Sequence, residues 1–224
     1  MENKSKKEHR HIVYFNPDVT SLEKAHQDFS VELNKFNAGR AYENFNIFLN
    51  HEAQEYKNDG DGVTYVVWNV AYDENQKEIK RDVVSYYTLA ATAIPYEDRI
   101  RLDADEAEST GKEFDIEICG ISALEIKMFA VDEQFQDVFF EFEGEDLPIS
   151  AWVLRSIIDY ANSLMYDVVG FKALFLHSLP EVEQFYCANG FNPVTVNMQP
   201  LHCVDSDYKA MYLSLKEVEM NYDE

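Results

Sequence analysis

Apolar positions along this chain recur with two different periods, and the order in which the periods alternate predicts a mixed α/β protein. His11-Ile12-Val13-Tyr14-Phe15 reads as a short strand ended by Asn16-Pro17-Asp18. Ser21 then caps a helix whose apolar face carries Leu22, Ala25, Phe29, Leu33 and Phe36, with Asn37-Ala38-Gly39 as its stop. A second helix follows from the helical spacing of Phe45, Phe48, Leu49, Ala53 and Tyr56, and Asn58-Asp59-Gly60-Asp61-Gly62 ends it. Val63 to Trp68 and Val83 to Leu89 are rich in β-branched and aromatic residues, and with the turn signals at Asp73-Glu74-Asn75 they predict a hairpin with a long polar tip.

Ala123 to Val131 has strand character, with Leu124, Ile126 and Met128 on one face. Helical periodicity returns at Val153, Leu154, Ile157, Ile158, Ala161 and Leu164, with Ser150 as N-cap. Phe171 to Leu176 is the next strand, and Pro180 to Asn189 a short helix with proline near its start and Gly190 past its end. Phe191 to Val196 and Tyr208 to Leu215 complete the pattern as two strands. The order β, α, α, β, β, β, α, β, α, β, β describes an α/β protein with a mixed sheet and helices on its faces. There is no internal repeat and no low-complexity block.

One stretch departs from both periods. Between Tyr96 and Cys119 hydrophobicity is low and Asp103, Asp105, Glu106, Glu108, Glu113, Asp115 and Glu117 accumulate, which reads as an acidic, solvated excursion rather than a cation site. The expected organisation is a flexible polar terminus over residues 1–10 and a single domain over 11–224 with an acidic insertion near 97–118.

Composition narrows the function. With 224 residues, 46% hydrophobic and 14% aromatic, the chain can bury a real core, and global disorder is excluded. No run approaches the roughly 18 apolar residues of a membrane span, and the start Met1-Glu2-Asn3-Lys4-Ser5-Lys6-Lys7 is charged. The expectation is a soluble, cytoplasmic protein with no membrane partner. The formal net charge is −23, a field that repels polyanions, so nucleic acid is an unfavoured partner and a cationic amine a favoured one. Cys119, Cys187 and Cys203 are far apart and odd in number, which suits reduced thiols. His51 and Glu55 share a helix face without third and fourth ligands, His9-Arg10-His11 reads as solvated terminus, and no metal is expected.

The strand Leu124-Glu125-Ile126-Lys127 through Ala130-Val131-Asp132, the long helix from Ser150, the strand through His177 and then Phe185-Tyr186-Cys187-Ala188-Asn189-Gly190-Phe191 together resemble the GNAT superfamily of acyl-CoA-dependent N-acetyltransferases. The resemblance covers about residues 29 to 215. It implies a central, mostly antiparallel mixed sheet splayed into a V between the strands at 124–131 and 171–176, with helices on both faces. It also implies acetyl-CoA as co-substrate in that cleft, its pantetheine amides pairing with Phe129, Ala130 and Val131; splayed backbone groups need such partners. A homodimer is compatible with it.

Gln136 stands where the family's pyrophosphate loop begins, but the positions usually held by glycine are Phe139 and Glu141, and the loop runs on through Glu143, Gly144, Glu145 and Asp146. A carboxylate ~4 Å from a phosphate costs about 4 kcal/mol per charge pair at an effective dielectric near 20. Either this loop swings outward and the phosphates meet Ser150 and the amides of Ala151 and Trp152 at the helix start, or cofactor binding has been lost.

By the same resemblance Tyr186 protonates the leaving thiolate. Glu125 is the candidate base that deprotonates the amine, its pKa raised by burial, against the plainer reading of an outward-facing strand residue paired with Lys127. Glu117 is a weaker second choice. His177 would follow its strand and sit at the cleft mouth, beside cofactor or substrate. Cys187 lacks a basic neighbour in sequence and is not read as a nucleophile. Three functions follow from these residues: transfer of an acetyl group to a small cationic amine, a protein lysine or an N-terminus; a GNAT-like binding protein without catalysis; or a toxin-type enzyme that acetylates aminoacyl-tRNA.

Overall fold

The computed structural model describes residues 10–195, 198 and 208–215. Strands β1 (His11–Ile12) and β2 (Pro17–Ser21) precede helices α1 (Leu22–Asp28) and α2 (Ser30–Leu33). Helices α3 (Glu43–Ile47) and α4 (Ala53–Asn58) are joined by a π-helical turn, Phe48–Glu52. Then come β3 (Val63–Tyr72), β4 (Glu78–Arg101), α5 (Ala104–Thr110), β5 (Phe114–Val131), β6 (Val138–Phe142), β7 (Glu145–Pro148) and α6 (Ile149–Asp167). The last elements among the described residues are β8 (Ala173–Ser178), a 3-10 turn at Pro180–Val182, α7 (Glu183–Ala188), β9 (Asn192–Pro193) and β10 (Lys209–Ser214).

Seven strands hydrogen-bond in the order β2-β3-β4-β5-β8-β10-β9, and β1-β6-β7 form a small separate sheet. In the large sheet β5 and β8 run parallel, while the pairs β2–β3, β3–β4, β8–β10 and β10–β9 are antiparallel. The sheet is therefore mixed and mostly antiparallel, as the sequence predicts. The chain divides into two compact units, Met1–Leu89 with Met128–Ile157, and Ala90–Lys127 with Ile158–Glu224.

In the first unit, Leu22, Ala25, Leu33, Phe36, Phe48 and Leu49 cover Val66, Trp68, Val83 and Tyr86 of β3 and β4. Ser21 caps α1 as expected, its hydroxyl accepting from the Lys24 amide. The predicted helix from Ser21 to Phe36 is broken at Phe29, whose backbone (φ −137) leaves the helical region. This turns the Phe29 ring edge-on to Trp68 and under the Arg81 guanidinium, 4.0 Å from it. Asn16-Pro17-Asp18, read as the end of the first strand, leads instead into edge strand β2, which pairs with β3 from Pro17 to Ser21. Proline is tolerated at the first residue of an edge strand, and the backbone groups that follow find partners on β3.

Two further expectations change here. Residues 138–148 are not a loop: β6 and β7 make a hairpin whose two-residue tip, Glu143 (φ +54) and Gly144 (φ +87), has the doubly left-handed backbone of a type I′ turn. And α6 begins at Ile149, directly after Pro148, so Ser150 lies inside the first turn rather than capping it. The pairing of Pro148 with Phe139 delivers Ile149, fully buried, to the core, and Pro148 has no N–H to leave orphaned.

In the second unit Ile94, Ile121, Ala123, Ala173, Phe175 and Met198 form the core, with Tyr96, Val194, Ala210 and Tyr212 packed against it. The acidic stretch holds regular structure: β4 runs on to Arg101, Asp103 caps α5 by accepting from the Glu106 amide, and Gly111 (φ +69) ends that helix. The strand expected over 191–196 shortens to β9, and residue 196 lies outside the described residues. Among the described residues no helix is long and apolar enough to cross a membrane.

Candidate active site

The register between β5 and β8 runs over four pairs, Ala123 to Ile126 with Ala173 to Leu176. Beyond it β5 continues for five residues to Val131 and β8 for two to Ser178. His177, expected after its strand, lies within it.

Glu125 is paired with Phe175, and His177 is two residues further along β8, which places both on the side of the sheet that Glu125 faces. His177 Nδ1 is 3.5 Å from Glu125 Oε1, and Lys127 Nζ is 3.6 Å from the same oxygen. The His177 ring stands edge-on to Phe175 at 4.9 Å. Glu125 is only 8% exposed, and the sequence predicts that burial raises its pKa. The reverse holds: burial does oppose the charge, but His177 and Lys127 together outweigh it and hold the carboxyl below its usual range. The plainer reading, a pair with Lys127, is thus present together with an unforeseen partner, His177.

A carboxyl whose folded pKa is depressed contributes stability above the unfolded value, near 4.3, and loses it as pH falls through the folded value. Melting temperatures of wild type and Glu125→Gln, measured from pH 7 down to pH 3, are therefore expected to converge. A gap that stays constant would show that Glu125 is not held ionised.

Tyr186 sits on α7, 8% exposed, with its ring edge-on to Phe185 at 5.2 Å and to Phe191 at 5.8 Å. Burial pushes its hydroxyl pKa up, so the side chain stays a neutral phenol able to donate a proton. Cys187 beside it is exposed. Glu117 lies on β5 eight residues before Glu125, roughly 26 Å along a strand, too far to act on the same atom.

In the first unit, the end of β5 is fixed by Ser85, which the sequence pattern did not mark, and by Gln136 in a role other than the expected one. The Ala130 carbonyl accepts from Ser85 Oγ at 2.7 Å. Strand alternation turns the peptide groups of Phe129 and Val131 to the opposite edge, where the Val131 carbonyl accepts from Gln136 Nε2 at 2.9 Å. The same nitrogen donates to the Ala38 carbonyl at 3.1 Å. Gln136, expected near the phosphates, thus spends its amide donors on the chain's own backbone.

Asp132 ends the strand and is 1% exposed. Its two oxygens accept from the amides of Asn37 at 2.8 Å and Gln134 at 3.0 Å. Asn37 in turn donates to Glu133, and Asn46 accepts from the Ala38 amide. The available signal was an aspartate directly after a strand, a residue that forms such side-chain turns readily.

Glu141, Glu143, Glu145 and Asp146 are exposed on the β6–β7 hairpin, and Asp146 pairs with Arg10 at 3.7 Å. Phe139 and Glu141, where the family carries a glycine loop, are strand residues instead. The first turn of α6, at Ile149, Ser150 and Ala151, carries backbone amides that have no acceptor within the helix. The Trp152 side chain packs edge-on to Phe15 at 5.2 Å. His51 and Glu55 are both exposed, and among the described residues no group of three or more metal-ligating side chains comes together.

No family profile matches the sequence and no curated relative does. Solved structures do resemble it. AtaTR bound with AcCoA has a TM-score of 0.55 at 20% identity, over 89% of this chain and 94% of that one. AtaT complexed with acetyl-methionyl-tRNAfMet has a TM-score of 0.55 at 17% identity, over 89% and 95%. A tyrosine-to-phenylalanine mutant of KacT has a TM-score of 0.54 at 14% identity, over 88% and 94%. With the mixed sheet and the short parallel β5–β8 pairing, these likenesses identify the architecture of this chain as the GNAT fold.

Proposed function

We propose that this protein transfers an acetyl group from acetyl-CoA to a primary amine, by direct attack of the amine nitrogen on the thioester. The observation that carries the reading is the likeness in fold, over nearly the whole of both chains, to AtaTR bound with AcCoA. Phe129, Ala130 and Val131 offer the strand edge for the pantetheine. The first-turn amides of α6, with Ser150, Ala151 and the Trp152 backbone, take the pyrophosphate, with the hairpin carboxylates turned to solvent. Tyr186 gives its proton to the leaving thiolate.

The proton released by the amine goes to the Glu125–His177 pair. Glu125, whose carboxyl is held below its usual range, stabilises the positive charge that the pair takes up with that proton. Positioning supplies much of the remaining acceleration.

Two observations bear on the acceptor. The likeness to AtaT complexed with acetyl-methionyl-tRNAfMet favours the α-amine of an aminoacyl-tRNA. The net charge of −23 favours a small cationic amine. Calorimetry with acetyl-CoA is the first test: binding is expected, and its absence would leave the GNAT-like binding protein as the reading. Charged tRNA and a polyamine are then offered in parallel at about 150 mM salt, where a tRNA acceptor must overcome lost counterion release. Acetylation of the aminoacyl-tRNA alone would select the first acceptor, and of the polyamine alone the second.

A further inference from the structure

Val131 is the last residue of β5. The Ala130 carbonyl on one side of it and the Asp132 amide on the other both point toward β4, where they meet Ser85 Oγ and the Val84 carbonyl at 2.7 and 2.8 Å. The Val131 carbonyl therefore points to the opposite edge, the one that the acetyl-CoA reading gives to the pantetheine. A donor already stands there: Gln136 Nε2, at 2.9 Å. A carboxamide N–H and the N–H of a ligand amide are the same kind of donor, so the chain supplies to this carbonyl what the cofactor would bring.

The turn after the strand puts Gln136 in place. The Asp132 carbonyl accepts from the amides of Phe135 and Gln136 at 2.8 and 3.2 Å, which folds Gln136 back onto the strand residue five positions before it. Asp137, with φ +57, then leads the chain into β6. Nε2 carries two protons and faces two acceptors, the second being the Ala38 carbonyl at 3.1 Å. Ala38 belongs to a turn that Asp132 and Asn46 also hold, through the amides of Asn37 and Ala38. Gln136 is exposed, so on release its amide passes into water while the turn keeps those other bonds.

We infer that the Gln136 carboxamide competes with acetyl-CoA for the Val131 carbonyl, and that a cofactor amide pairs there only when Gln136 leaves both Val131 and Ala38. This inference rests on the proposed binding of acetyl-CoA along the β5 edge. An exposed hydrogen bond is exchanged for water at small net cost, so the contact holds the edge weakly and yields to the cofactor.

Calorimetry with acetyl-CoA tests this on the full chain and on two neutral variants, Gln136→Ala and Gln136→Met, the second keeping the length of the side chain without its donors. Neither changes the charge of the site. Both are expected to bind acetyl-CoA about 3- to 10-fold more tightly than wild type, roughly the worth of one hydrogen bond that no longer has to be released. As acetyl-CoA is added to wild type, the Gln136 side-chain amide signal, identified by NMR from its absence in the variants, should move to the position of a solvated glutamine. Circular dichroism checks that each variant is folded. Wild-type binding with no gain in either variant would mean that the carbonyl accepts both amides at once, and overturns the proposal while leaving the acetyl-CoA reading intact. A gain confined to Gln136→Ala makes bulk the obstacle and overturns it too, as does an amide signal that stays in place. Binding by none of the three proteins removes the acetyl-CoA reading and this proposal together.

Discussion

Tyr186→Phe is expected to lower turnover of acetyl transfer by about 10²-fold, equivalent to about 2.7 kcal/mol of transition-state stabilisation, while acetyl-CoA affinity stays at its wild-type value. The substitution removes one hydroxyl and keeps the ring that packs on Phe185 and Phe191, so the fold is retained. Because burial pushes the phenol pKa upward, the wild-type rate should show no loss attributable to tyrosine ionisation on the alkaline side of neutrality. Steady-state kinetics with calorimetry checks both parts. An unchanged kcat would remove Tyr186 from the chemistry and leave it as a packing residue of α7.

The second large effect is on stability. Asp132→Ala is expected to cost about 1–3 kcal/mol, since it leaves the amide of Asn37 without its acceptor in a part-buried site, while that of Gln134, an exposed residue, can turn to water. Chemical denaturation measures the loss, and a change below about 0.5 kcal/mol, typical of an indifferent surface site, would contradict it. The pH dependence carries its own sign. Burial raises the Asp132 pKa against the two amide bonds that lower it, so the native state holds this proton more tightly than the unfolded chain does. The contribution of the group is complete below the unfolded value and declines as pH rises through the folded one. Relative to Asp132→Asn, wild type should therefore gain stability as pH falls from 7 toward 4, the opposite of the trend expected for Glu125 against its glutamine variant.

Much of the architecture is legible in local pattern. The β-branched run at Val63–Trp68, the helical spacing from Val153 to Leu164, the Ser21 cap and the Pro180…Gly190 bracket all correspond to observed elements. Each depends on residues within a few positions of one another, so a period or a single cap suffices to announce it. The Phe-Tyr motif and the strand before Asp132 pointed to the fold for the same reason.

What the sequence by itself determined is therefore the kind and order of most elements, the acidity of the chain and its resemblance in fold. The tertiary structure decided the rest. β2 exists because a distant strand, β3, satisfies its backbone groups, and β6 gains β1 in the same way, pairings that no local propensity announces. The Glu125 carboxyl is held below its usual range, against the effect of burial, because β8 brings His177 to it from far along the chain beside Lys127 of its own strand. Gln136 and Asp132 serve the backbone because Ala38 and Asn37 arrive from the other end of the first unit. The charge state of a buried group and the partner of a polar one depend on what lies within a few ångströms, and periodicity reports which side a residue faces without reporting what it meets there.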